Sequence, residues 1–171
     1  MILVTGFGPF LDVTDNPSAR LARAVDGALV GPHRVRGLVL PVSYERAVAA
    51  TLDAGREAVL VLGTGVARTR TETRLELRAV RDRNEESDDV DGCRGGWNAA
   101  DGPASVEASL GAGAAEALGV GCSSDAGTYV CNAWLYGVVR GLPGRPVGFL
   151  HLPPAGFPPS RLLAGLARLV G

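Results

Sequence analysis

Short fully apolar runs alternate along the chain with stretches whose apolar positions recur every three or four residues. MILVT reads as a buried strand and is followed by the loop GFGPFLDVTD. Asn16 and Pro17 then form an N-cap and first helical residue, and LARAV carries that helix to Gly27. VRGLVLPV predicts a second strand, and Ser43 caps a helix from Tyr44 to Ala54 that Gly55 closes. EAVLVLG is a third strand, apolar through its centre as expected when both faces are covered. RTRTETRLELRAVR alternates, with Leu75, Leu77 and Ala79 on one face. VEASLGAGAAEAL reads as a helix, a further helical pattern starts around Cys131, PVGFLHLP is a late strand, and PSRLLAGLARLV is a closing helix.

Strands interleaved with helices predict an α/β layer architecture around a largely parallel sheet. In such sheets, sites gather at loops beyond strand ends. The longest loop-like segment is 82–105, DRNEESDDVDGCRGGWNAADGPAS, acidic and glycine-rich, and it reads as a mobile stretch or lid. The 171 residues fit one domain, 1–171, with 46% hydrophobic and 20% charged residues. A net charge of −1 argues against a nucleic-acid or acidic-membrane partner, and all 17 basic residues are scattered arginines. MILVTGFGPF reads as strand and loop instead of a charged-then-apolar leader, and no apolar run is long enough for a membrane span. Three cysteines, an odd number without a regular framework, suit a reducing interior, so a cytoplasmic address is expected.

Several candidate chemistries fail on spacing. TGFGPF and LGTGVAR each carry Gly-x-Gly, but neither has the third glycine and immediate helix of a dinucleotide loop. No ligand-spaced pair occurs among Cys93, Cys122, Cys131, His33 and His151, and SDDVDG lacks the glutamate of a calcium loop, with Asn98 in its place. No metal is therefore expected. Phe7 and Phe10 in a strand-end loop could line a small apolar pocket or fold back onto the core. Cys131 has two readings: a small core residue, or a nucleophile in the positive field of a helix N-terminus, whose free N–H groups can also hold an oxyanion. A nucleophile needs a base, and His151, at the end of VGFLHLPP, is better placed for that than His33. A carboxylate should orient the histidine. Periodicity puts Glu76 opposite Leu75 and Leu77, which favours a solvated residue among Arg74 and Arg78.

Motifs in chain order resemble the pyroglutamyl peptidase I family of cysteine peptidases. TGFGPF with NPS at 16–18 is similar to its amino-terminal signature, and LPV at 40–42 to its second strand end. Gly65, Arg70, Glu76 and Ala79-Val80 keep the spacing around its glutamate, SSDAGTYVCN resembles its nucleophile motif, and VGFLHLPP its histidine motif. The resemblance implies Cys131 as nucleophile, His151 as base and later acid, and Glu76 as orienting carboxylate. Phe7, Phe10, Asn16, Tyr129 and Val130 would line the pocket for the flat lactam ring. It further implies a three-layer α/β/α sandwich around a mostly parallel, mixed twisted sheet, and a homo-oligomer, usually a tetramer. Cofactor-free release of an N-terminal pyroglutamyl residue from peptides would be the activity.

The sequence departs from the family where ARIPDN usually follows the glutamate, since Glu86 stands at its arginine and only Arg81 or Arg83 lies near. Gly8 and Asp125 replace a usual acidic residue and a usual serine, and the stretch after Gly92 is shorter. The alternatives are a weakened homologue and a small-molecule or nucleotide-binding α/β module with Cys131 in its core. A cysteine amidotransferase is disfavoured, because Tyr129 and Ala133 occupy the glycine positions of its nucleophile elbow.

Overall fold

The computed structural model describes all 171 residues. Its elements in chain order begin with β1 (Ile2–Phe7), α1 (Pro17–Val25), β2 (Leu29–Val30), β3 (His33–Leu40), α2 (Tyr44–Gly55) and β4 (Leu60–Val66). There follow β5 (Arg74–Glu76), β6 (Arg78–Val80), β7 (Ser105–Glu107), α3 (Ala112–Leu118) and β8 (Gly121–Ser123). The chain closes with α4 (Val130–Gly141), β9 (Val147–Leu152) and α5 (Pro159–Val170). Seven strands form one sheet in the order β2-β3-β1-β4-β9-β5-β8, and β6 pairs with β7 in a separate ribbon. The large sheet is parallel except where β2 meets β3 and where β5 meets β9. No helix is long and apolar enough to cross a membrane.

Successive side chains of a strand point to opposite faces, so a sheet covered on both sides feeds two cores. Ile2, Val4, Leu60, Leu62, Leu150 and Leu152 pack with residues of α1, α3 and α5. Their neighbours Leu3, Phe7, Val61, Val147 and Phe149 pack with residues of α2 and α4. The three layers of the α/β expectation are therefore present. The chain leaves β1 through α1 to β3 on one side, then returns through α2 to β4 on the other. That reversal puts the ends of β1 and β4 at the switch point, where such sheets open a crevice.

Capping chemistry set the helix starts as read. Asn16 accepts from the Ser18 amide and Ser43 from the Arg46 amide, at 3.0 and 3.1 Å. Gly55 does not close α2 with a left-handed turn. It is the last helical residue, and a side chain there would crowd Leu142 and Val61. The alternation read over 68–81 is broken at Leu77, whose N–H bonds to Ser123 and whose carbonyl accepts from Ala108. One half joins the large sheet and the other pairs with β7. The helix expected from Val106 begins only at Ala112, because Val106 is paired with Ala79.

Segment 82–105 runs over the start of α2. Asp89 accepts the Tyr44 amide at 2.8 Å, Val90 donates to Val42, and Arg46 pairs with Asp91. In the same layer, the buried Trp134 indole of α4 donates to Thr51 Oγ1 of α2 at 2.8 Å, joining the two helices. Thr51→Val would strand that N–H in the core, at a cost of about 1–3 kcal/mol. Thermal unfolding should show Tm lower by roughly 2–4 °C for each kcal/mol in a chain of this size. An unchanged Tm would mean the indole finds another acceptor.

Candidate active site

Three strands bring side chains to one place on the α2–α4 side of the sheet. Gly65 of β4 is the ladder partner of His151 in β9. Glu76 of β5 is paired with Phe149, two residues before His151. Residues two apart on a strand share a face, so Glu76 and His151 are diagonal neighbours across an antiparallel pair, within reach of long side chains. Glu76 Oε1 lies 2.8 Å from His151 Nδ1. A donor at Nδ1 fixes the tautomer and leaves Nε2 for another partner.

That partner comes from α4. Cys131 is the second residue of this helix, and the N-cap Tyr129 makes no side-chain bond to the first turn. A Cβ built on Gly65 would sit 2.6 Å from Cys131 Sγ and 2.8 Å from the Phe149 ring. The sulfur therefore rests over Gly65, beside the imidazole that Gly65 pairs with. Asn132 holds the helix in this position. Its amide accepts from the Val80 N–H and donates to the Val80 carbonyl, both at 2.8 Å, and its side chain is fully buried.

Glu76 is fully buried, which corrects the solvated position that periodicity favoured. The alternation held for Leu75 and Leu77, while Ala79, beyond the break at Leu77, packs in the other core; helices cover both faces of the sheet, so the face of Glu76 does not meet water. Its Oε1 also accepts from Arg70 Nη2 at 2.8 Å, while Oε2 has no partner. His151 is 7% exposed. Burial pushes its pKa down, but the charge and hydrogen bond of Cys131, with Glu76 behind, outweigh this and raise it to about 9. The imidazolium is favoured in this pairing.

The remaining predicted residues fall into three places: an aromatic group, the core, and the loop before α1. The Phe10 ring lies 5.2 Å from that of Tyr129, which meets Tyr44 edge-on at 5.7 Å and donates its hydroxyl to the Asp88 carbonyl. Phe7 and Val130 are buried, Phe7 against Phe149 at 6.4 Å. Asn16 spends its amide locally, donating to the Gly8 carbonyl and accepting from Ser18, whose hydroxyl in turn accepts the Phe7 N–H. It thereby fixes the loop that carries Phe10. Arg81 lies over Trp97, and Arg83 lies over Tyr44 while bonding Asn98 and Glu45. Glu86 is exposed. Sequence reading placed Gly65 and Arg70 within the spacing of the family motif but gave neither a contact. The structure supplies both contacts, Gly65 under the Cys131 sulfur and Arg70 on Glu76. Two hollows of about 440 and 320 Å³ flank Phe157 in the loop after β9, and neither Cys131 nor His151 lines them. A nucleophile, a base and a carboxylate in sequence make the buried cluster the better candidate for chemistry than either hollow.

The chain is 35% identical to the pyrrolidone-carboxylate peptidase of Cupriavidus taiwanensis, over 89% of this chain and 77% of that protein. The crystal structure of pyrrolidone carboxyl peptidase from Thermus thermophilus superposes with a TM-score of 0.82 at 30% identity, covering 98% of this chain and 97% of that one. The pyrrolidone carboxyl peptidase from Thermococcus litoralis gives 0.85 at 26% identity, covering 97% and 89%. A family model described as pyroglutamyl peptidase matches residues 1–160, and the chain belongs to that family.

Proposed function

We propose that Cys131, His151 and Glu76 carry out the hydrolysis of N-terminal pyroglutamyl residues from peptides, the activity of the chain's family. The observation that carries this assignment is the placement of Cys131 Sγ over Gly65, beside an imidazole whose far nitrogen bonds a buried carboxylate. The Cys131 thiolate attacks the carbonyl carbon of the pyroglutamyl residue. The oxygen gains the displaced electron pair, and N–H groups of the first turn of α4 are oriented to stabilise it. His151 gives its Nε2 proton to the leaving amine as the C–N bond breaks, leaving a thioester on Cys131 and a neutral imidazole. Water then attacks the thioester while His151 takes its proton. Collapse releases pyroglutamate and restores the thiolate–imidazolium pair. Glu76 holds the ring in orientation throughout.

Phe10 and Tyr129 supply apolar surfaces suited to an uncharged lactam ring. Asn16 supports that surface through Gly8. Three free thiols, Cys93, Cys122 and Cys131, support a reducing compartment as the place of action.

Release of a chromogenic amine from a pyroglutamyl amide is the direct test. Wild-type protein should show it, Cys131→Ser should abolish it, and Glu76→Gln should lower kcat with the substrate still bound. Activity surviving in Cys131→Ser would rule the nucleophile out. Gly65→Ala probes the seat of the sulfur. Its methyl needs the space Sγ occupies, so kcat should fall about 100-fold, the scale of an ångström misplacement. A folded Gly65→Ala protein with wild-type turnover would sink the geometry.

The pH dependence follows from the raised pKa of His151. Its interactions stabilise the fold fully below the ordinary value of 6.5 and are lost as pH rises through about 9. Activity requiring the imidazolium should decline over the same upper limit. In Cys131→Ala the largest raising influence is gone, so the His151 ring should titrate at lower pH by NMR. An unmoved titration would show that the sulfur does not face it.

A further inference from the structure

The cluster contains a fourth charged group that the mechanism above does not use. Arg70, in the loop between β4 and β5, presents Nη2 to Glu76 Oε1 at 2.8 Å, to Ser123 Oγ at 2.9 Å and to the Asp125 carbonyl at 3.2 Å. Its side chain is one-quarter exposed. We propose that Arg70 is a positioning residue: it sets the direction of the Glu76 carboxylate and ties it to the loop that leads into the helix bearing Cys131. The inference rests on the assignment of Cys131, His151 and Glu76 made above.

The terminal torsion of a glutamate is broad, so a carboxylate held by one donor can turn. Glu76 takes both its bonds on Oε1 and none on Oε2. Arg70 and His151 approach that one oxygen together, and this fixes both the torsion and the line toward Nδ1. Ser123 and Asp125 belong to the end of β8 and the loop after it, which reaches α4 a few residues later. One guanidinium nitrogen therefore connects the carboxylate's strand with the nucleophile's approach. Ser123 Oγ also accepts the Asp125 N–H, which stiffens that turn.

Arg70 also has an electrostatic effect. The charged groups facing His151 are Cys131 from α4, Glu76 from β5 and, through Glu76, Arg70; Arg74, its ladder partner on β5, bonds Glu72, and Gly65 on β4 is uncharged. With Arg70 present, the carboxylate is shared between two cations. With Arg70 gone, Glu76 would bind the imidazolium alone and hold its proton more tightly. That proton must leave during the reaction, so a tighter grip slows the step that needs it. A purely structural arginine would have no such effect on the proton.

The experiment measures kcat and KM separately across pH, using a pyroglutamyl amide, for wild type, Arg70→Leu, Arg70→Lys and Ser123→Ala. Arg70→Leu should lose about 10- to 100-fold in kcat, the scale for a partner that orients a reacting group, with KM little changed. The alkaline limb of its kcat/KM profile should move to higher pH. Arg70→Lys should return the limb toward wild type, and Ser123→Ala should show a smaller loss in the same direction. A folded Arg70→Leu protein whose limb coincides with wild type overturns the proposal, as does a loss confined to KM. Should Arg70→Leu fail to fold, wild-type limbs and turnover in both other variants overturn it equally. Cys131→Ser run alongside separates the two layers of inference. If that variant is active, the underlying site assignment falls. If it is silent while the Arg70 variants match wild type, only the role of Arg70 falls.

Discussion

A carboxylate with no solvent exposure is the constraint around which the site is organised. Removing an ionised group from water costs several kcal/mol, and only close partners of opposite charge offset that cost. Glu76 has two, Arg70 and His151, on the same oxygen. Removing either partner from a buried pair typically costs about 3–5 kcal/mol, so the arrangement holds as a unit. The sheet's one internal irregularity serves it. Because β5 runs antiparallel to β9, Glu76 is diagonal to His151 and its side chain crosses the gap between strands. The mixed character of the sheet is thus tied to the position of the imidazole.

A second constraint is space. β4 carries Gly63 and Gly65 on the face that α4 packs against. A Cβ at Gly63 would meet Phe149 and Trp134 at 2.5 and 2.6 Å, and one at Gly65 would meet Cys131 Sγ. The two glycines form adjacent notches, one for the indole and one for the sulfur. Trp134 seats in the first and bonds Thr51, Asn132 clamps Val80, and α4 is left with little freedom to slide. Glycines that resemble a nucleotide loop by spacing are here a packing surface for a helix. This explains why the third glycine and the immediate helix are missing: neither is needed to bring a side chain close to a strand.

Local signals in the sequence reached far into this fold. Asn16-Pro17 and Ser43 are chemical statements about where helices begin, and the apolar centres of β1, β4 and β9 need no tertiary information to be read as strands. What resisted reading depended on partners distant in the chain. β2 and β8 are two and three residues long and exist because a neighbouring strand pairs with them. The pairing of Val106 with Ala79 displaced a helical pattern that was locally consistent. Glu76 is the sharpest case. Alternation assigned its face correctly, yet a face is solvent-exposed only if nothing packs on it. The cysteine and histidine were legible through their motifs, whereas the seat of the sulfur and the bonds of Arg70 depend on strand register, which periodicity does not encode.

The charges of the site bear on the absence of the family's usual arginine. The proposed mechanism uses Cys131 as thiolate and His151 as imidazolium, and with Glu76 and Arg70 the proposed cluster carries two charges of each sign. The cluster is neutral before substrate enters, a condition under which a low-dielectric site can keep all four groups ionised. In that proposed mechanism, attack would move one negative charge from sulfur to the substrate oxygen without changing the total, toward the N-terminal turn of α4 whose dipole favours it. Arg81 and Arg83 are engaged elsewhere, Arg83 against Tyr44 and Glu45 at the outer side of the aromatic group. Burial raises the pKa of Tyr44 to about 12 and pushes that of Tyr129 higher still, so both phenols stay neutral and add no charge. Under the proposed mechanism the helix terminus would face the developing oxyanion, while Arg70 balances the buried carboxylate it bonds at 2.8 Å instead of approaching the reacting carbonyl.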